Sequence, residues 1–236
     1  GITDLSLDPE KMKIIASTEG NILSAEKYLG IIDNIVHTQP GALAVVDSFS
    51  ALSSESELTG NLTDMQVMSV QKILAKFCRR VSNVLPINRV TVVGITHLMA
   101  NVNRFGRGKT KVEKSALKYQ VDVKLHATHS TPLMQGETQI GQTIHWQIVT
   151  SAIGPPGQKV ESHIRYGKGI WKEMELADLL IDFGLISKAG AWLKLPDGEK
   201  VQGKANFAQY LEDNPEKYAE YNKQVFEMVG IEQPED

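Results

Sequence analysis

The stretch Gly41-Ala42-Leu43-Ala44-Val45-Val46-Asp47-Ser48-Phe49-Ser50-Ala51-Leu52 decides how the rest of the chain is read. Ala42 to Val46 is an unbroken apolar run without period-2 alternation, the pattern of a strand buried on both faces of a parallel sheet. Asp47 ends it. Ligands of open α/β sheets gather outside the carboxyl ends of the strands, and a carboxylate placed there can hold a water-ligated Mg2+ on a nucleotide phosphate. The same Asp-Ser pair also suits a plain turn that closes a strand.

Upstream of this run, Tyr28, Leu29, Ile32, Ile35 and Val36 follow helical spacing within a helix from Ile22 to Val36, and Gln39-Pro40-Gly41 stops it. Earlier still, Ile14 to Ala16 is a short apolar run and a candidate strand. Downstream, Ser53 to Asp64 is polar and reads as a flexible segment. A helix is then expected over Met65 to Val81, with Leu74, Phe77, Cys78 and Val81 inward and Lys72, Lys76, Arg79 and Arg80 outward. Pro86 resets the chain, and Val90 to Thr96 is a second continuous apolar strand ending in Thr96-His97. Strand, helix and strand at this spacing form a right-handed parallel crossover. That places His97 at the same sheet edge as Asp47.

Leu98 to Ser115 has no apolar period and carries Arg104, Phe105, Arg107, Lys109, Lys111 and Lys114 against one acid, Glu113. A loop of this length inside a domain is usually functional or disordered. Cations interleaved with an aromatic ring suit a single strand of nucleic acid, and they equally suit a solvated charged loop. Gly108-Lys109-Thr110 mimics the end of a phosphate-binding loop, but Asn103 stands where its leading glycine belongs, so it is rejected as one.

Past Tyr119 the pattern changes to strands with edges: Asp122 to Ala127, Gln142 to Ser151, and Lys159 to Tyr166, with Gly136-Glu137 as a hairpin turn. They read as an antiparallel extension of the sheet. His126, His129 and His145 lack metal-ligand spacing and are read as structural or surface residues. Composition shifts at Gly167 to Gly169. A helix over Glu173 to Phe183 closed by Gly184, a small hairpin from Ala191 to Gly203, and helices over Asn206 to Asp213 and Pro215 to Met228 follow, the last capped by Asn214. The expected fold is α/β: a mostly parallel central sheet with an antiparallel extension over residues 1–168, a small C-terminal α+β domain over 169–230, and an acidic tail over 231–236.

The 236 residues suffice for one α/β domain and a small appendage. A formal charge of -3 gives no global basic signal, so nucleic-acid binding must come from a local patch. The one cysteine, Cys78, excludes an internal disulfide framework and reads as core filler. No apolar run approaches the ~18 residues of a membrane helix, so no membrane partner is expected. The chain opens at Gly1, without methionine, in what reads as mid-domain, so an upstream part is expected.

Several short motifs fall in a set order: Ile164-Arg165-Tyr166-Gly167-Lys168-Gly169-Ile170, Leu185-Ile186-Ser187-Lys188-Ala189-Gly190-Ala191-Trp192, Gly203-Lys204-Ala205-Asn206, and Leu211-Glu212-Asp213-Asn214-Pro215-Glu216. With Val45 to Leu52 and Ser115-Ala116-Leu117-Lys118-Tyr119, they make the chain resemble the RecA family of strand-exchange recombinases over about residues 40 to 228. The resemblance implies a RecA-like ATPase core that uses ATP and Mg2+. It implies helical self-association on single-stranded DNA, pairing with duplex DNA, and a cytoplasmic location in a bacterium or phage-infected cell.

Carried over by position, Asp47 would organise Mg2+ through water with Ser48 beside it. His97 falls where the family usually has a glutamine that senses the γ-phosphate, and Tyr166 with Gly167 would lie near the adenine. Thr59 to Met65, including Gly60 and Asn61, would be the first DNA loop and Leu98 to Ser115 the second, while Arg79 would touch a DNA phosphate.

Departures from the family pattern matter as well. Its glycine-rich phosphate loop and catalytic glutamate belong ahead of Gly1, so this stretch by itself is not expected to hydrolyse ATP. The two lysines that the family inserts into a neighbour's ATP site have no counterpart near Thr150 to Ala152, and Glu113 and Lys114 replace the paired glycines that end the second loop. An alternative therefore stands beside the recombinase: a catalytically inactive filament or mediator protein that binds DNA or a recombinase without turnover.

Overall fold

The computed structural model describes residues 12–61, 69–100, 111–112, 117, 120–196 and 198–232. They fall into two compact units, Ser6–Asp122 and one that includes Val123–Asp236.

In the first unit, α1 (Ala25–Thr38) starts at Ser24, whose hydroxyl accepts the Lys27 amide, and buries Ala25, Leu29, Ile32 and Val36 on one stripe. Gly41, at φ +79, turns the chain into β1 (Leu43–Val46). A single 3-10 turn at Phe49–Ala51 leads to α2 (Glu55–Thr59), α3 (Ser69–Val81), α4 (Val84–Asn88) and β2 (Thr91–Gly94). The short strands β3 (Met99–Ala100) and β4 (Lys111–Val112) follow. Strands β1 and β2 are parallel, in register from Leu43↔Thr91 to Val46↔Gly94. Leu29, Val36, Leu74, Phe77, Cys78 and Val81 from α1 and α3 form the core beneath them, with Ala44, Val46 and Val92 packed on it.

Four expectations need correction here. Among the described residues the first strand is covered on one face only: Leu43 and Val45 stay 65% and 63% exposed, because the helices pack on the Ala44 and Val46 side. Ile14 to Ala16 forms no strand, and Ile14 is exposed. The polar segment after Leu52 holds a helix, α2, because Ser54 and Glu57 close a reciprocal capping box. Pro86 does not break the chain but sits in the first turn of α4, where its missing N–H costs nothing.

In the second unit, β5 (Val123–Gln135) and β6 (Thr138–Ser151) form a hairpin across Gly136-Glu137, both strands longer than the apolar pattern predicts. Pro132 is tolerated within β5 because that strand lies at the sheet edge. β7 (Lys159–Arg165) and β8 (Gly169–Ile170) complete a four-stranded antiparallel sheet in the order β5-β6-β7-β8. His129 and His145 face each other across β5 and β6 with rings stacked at 4.1 Å, and His145 Nδ1 meets Glu161 at 3.0 Å. Then come α5 (Lys172–Asp182), β9 (Ser187–Ala189), β10 (Trp192–Lys194), β11 (Lys200–Gln202), α6 (Lys204–Asp213) and α7 (Pro215–Val229). Strands β9 to β11 form a small antiparallel sheet, and Leu180, Ile186, Leu193, Phe207 and Leu211 fill the core around it. Asn214 occupies the N-cap of α7 but does not cap it; its side-chain amide donates to Tyr210 O instead.

The compact units divide at Asp122–Val123, whereas composition shifts near Gly169. Side chains explain the difference. Trp171, Met174 and Ala208 pack against Leu133 and Ile140 of the sheet. Arg165 on β7 forms a two-pronged pair with Glu212 on α6, at 2.8 and 3.2 Å, and stacks 4.5 Å over Trp171. His163, 4% exposed, donates from Nε2 to Asp178 on α5, which Lys204 also engages.

Candidate functional site

The two central strands end together. After the last register pair, Val46↔Gly94, the chain continues as Asp47 on one strand and Ile95-Thr96-His97 on the other, so both candidate residues leave the same carboxyl edge. Backbone bonds carry the pairing past the strands: Ile95 N donates to Val46 O at 3.0 Å and Phe49 N to Ile95 O at 2.9 Å. The His97 amide then donates to Ser50 Oγ at 2.8 Å, which fixes the backbone of His97 to the turn that follows Asp47. Asp47 and His97 are exposed, and Ser48 is buried.

Gly94 explains why the edge is so tight. A Cβ there would fall on the Phe49 ring, which is buried against β2. A glycine inside a strand run marks such a close approach. That glycine was the one signal in the sequence that could have singled out Phe49 and, through the same turn, Ser50, which sequence reasoning did not select.

Two residues past His97 the chain enters β3, which pairs with β4 as Met99↔Val112 and Ala100↔Lys111. The basic segment therefore departs and returns on a short antiparallel ladder rooted beside His97. Lys111 belongs to that ladder; Arg104, Phe105, Arg107, Lys109 and Lys114 lie outside the described residues, as do Met65 and the Gly108-Lys109-Thr110 sequence. Thr59 closes α2 with its hydroxyl donating to Glu55 O, and Gly60 N donates to Ser56 O, so this end of the expected first loop is helical. Asn61 follows it.

On α3, Lys72, Lys76 and Arg79 share one exposed stripe at helical spacing. Arg80 is drawn off it by a 2.7 Å pair with Asp33 on α1. In the second unit, Tyr166 is 58% exposed, with its hydroxyl accepting from Gln139 Nε2 at 2.9 Å, and Gly167 takes φ +74 in the turn into β8.

Two carboxylates on the helices that follow, Asp178 on α5 and Glu212 on α6, are shifted toward the ionised form. Burial pushes Asp178 upward, but hydrogen bonds from His163 and Lys204 outweigh it and bring it below its ordinary value. The Arg165 hydrogen bonds, aided by Lys168, lower Glu212. A carboxylate with a depressed folded pKa contributes stability above its unfolded pKa, and that contribution is lost as pH falls through the folded value. Unfolding free energy is therefore expected to drop below about pH 4.5, and Glu212→Gln is expected to flatten that drop. Urea melts at neutral and acid pH check it; identical acid slopes in variant and parent would refute the assignment.

A parallel strand pair with acid and imidazole at one edge, helices packed on one face, then an antiparallel sheet bearing a small helix-and-hairpin appendage, defines a RecA-like α/β architecture. The chain belongs to the RecA family. The family model described as RecA N-terminal domain matches residues 4–171, and that described as RecA C-terminal domain matches residues 174–230. The match thus begins well before residue 40, further upstream than the short motifs reach. Curated relatives named Protein RecA include those of Streptomyces rimosus, 30% identical over 98% of this chain and 63% of the relative, and Pseudomonas putida, 30% identical over 93% and 64%. That of Nocardioides sp. is 29% identical over 96% and 66%. The chain thus spans under two thirds of the length of these relatives.

Proposed function

We propose that the protein is an ATP-dependent DNA recombinase and repair protein that assembles into a helical filament on single-stranded DNA and pairs it with a duplex. The observation that carries this reading is the shared edge: Asp47 and His97 emerge together, and the ladder holding the basic segment starts two residues beyond His97. A change at a phosphate beside His97 has a short covalent route to the cations that meet DNA. Family membership and the curated relatives named Protein RecA support it.

Asp47 fits Mg2+ on its donor chemistry. The ion takes one or two carboxylates and completes its shell with water and phosphate oxygens, and Asp47 is an exposed carboxylate with no cluster of further ligands around it among the described residues. Bound there with Ser48 adjacent, the ion would neutralise phosphate charge. Tyr166 offers an exposed ring for the adenine and Gly167 the turn beside it. Lys72, Lys76 and Arg79 add a cationic stripe for DNA phosphates. A cytoplasmic location in a bacterium or phage-infected cell goes with this reading.

Asp47→Asn is expected to weaken Mg2+-dependent nucleotide binding about ten-fold, the size of one charge-assisted contact, while leaving the urea midpoint unchanged. Titration of a fluorescent ATP analogue with and without Mg2+ checks it. Equal Mg2+ responses in variant and parent would remove Asp47 from the site.

A further inference from the structure

Helices α5 and α7 leave a groove of about 330 Å3 that the proposed nucleotide and DNA roles do not use. Its lining follows helical stripes: Glu175, Leu176 and Leu179 on α5 with Phe183 at its C-cap, and Tyr218, Val225 and Val229 on α7. Leu176 and Val225 form a buried floor, while Leu179, Phe183 and Val229 remain about 40% exposed on the walls. The α5 stripe from Lys172 to Phe183 runs about 16 Å, which suits an elongated occupant and not a compact metabolite. An open apolar trough between two helices is the usual seat of an amphipathic helix.

The charge at one end says what that helix carries. Glu175 Oε1 is buried and has no hydrogen-bond partner among the described residues. Glu173, two residues earlier on α5, is also buried, and burial together with these two carboxylates raises the Tyr218 hydroxyl above its ordinary pKa. Lys172, the one cation lining the groove among the described residues, rests over the Tyr218 ring, 5.3 Å from its centre. The floor at the Phe183 and Val229 end is apolar. A buried acceptor without a donor is costly, and a donor brought by a partner satisfies it.

We propose that the α5–α7 groove docks an amphipathic helix of another protein, with large apolar side chains one turn apart over Leu179 and Phe183 and a Lys or Arg that reaches Glu175. This surface is separate from the nucleotide and DNA reading and stands or falls without it.

The test is selection of a phage-displayed library of helix-biased peptides on the full chain, with counter-selection on Leu179→Asp, followed by anisotropy titration of the enriched peptides. The expected peptides pair bulky apolar residues at i and i+3 or i+4 with a Lys or Arg, and bind Leu179→Asp at least ten-fold more weakly. Glu175→Gln, which keeps the volume, is expected to lower their affinity several-fold and to leave peptides with that cation changed to Gln unaffected. Failure to enrich peptides that discriminate against Leu179→Asp overturns the proposal, and so does a consensus without the cation or full affinity for Glu175→Gln. Sedimentation that shows self-association of the parent, dissolved by Leu179→Asp, makes a second copy the occupant and likewise overturns it.

Discussion

Alanine at Arg104, Arg107, Lys109 and Lys111 together is expected to weaken single-strand binding by roughly 10² to 10³-fold at moderate ionic strength and to reduce the salt slope by about 3. Each cation that neutralises a phosphate of a single strand releases a counterion, so its removal is read in the slope as well as in the affinity. Three of the four replaced residues fall between β3 and β4, and the fourth, Lys111, sits on β4, where its pairing with Ala100 is a backbone matter that alanine preserves. The fold is therefore expected to survive, with a urea midpoint close to that of the parent. Anisotropy of a labelled oligonucleotide across a salt series gives the answer directly. A slope unchanged by four lost charges would move the DNA contact elsewhere, with the exposed stripe of Lys72, Lys76 and Arg79 as the next surface to alter.

What the sequence made readable and what it hid divide along physical lines. Helices α1, α3, α5 and α7 were readable because their buried residues repeat with the helical period, and the parallel pair because two apolar runs flank a helix. The common edge of Asp47 and His97 follows from that crossover. The open face of β1 was hidden because an all-apolar run reads alike whether one side or both are covered; Leu43 and Val45 look no different from Ala44 and Val46. The α2 capping box was present as Ser54 and Glu57, but a five-residue helix has too few positions to show a period. A ladder as short as β3 and β4 leaves no pattern at all. The bond between the antiparallel sheet and the C-terminal helices rests on Arg165–Glu212 and His163–Asp178, pairs 47 and 15 residues apart that no local window contains.

Gly94→Ala is expected to destabilise the first unit by about 1–3 kcal/mol, the usual cost of forcing volume into a packed site, and to lower the Mg2+-dependent nucleotide response with it. The new methyl would land on the Phe49 ring, and β2 cannot withdraw because it is held to β1 through four register pairs. The ring must move instead. Phe49 is tied to Ile95 by its amide, and its neighbour Ser50 holds the His97 amide, so a shifted ring displaces the backbone on both sides of the edge. Phe49→Leu supplies the compensating room. Alone it trims a buried ring and lowers stability; combined with Gly94→Ala it is expected to leave the chain more stable than the sum of the two single changes, with a coupling of roughly 1 kcal/mol or more, as residues in direct contact show. Urea melts of the four proteins close the cycle, and nucleotide titrations of the same set follow the function. Strict additivity would mean that Gly94 and Phe49 do not share one space, and that the strand ends are held in place by something other than this contact.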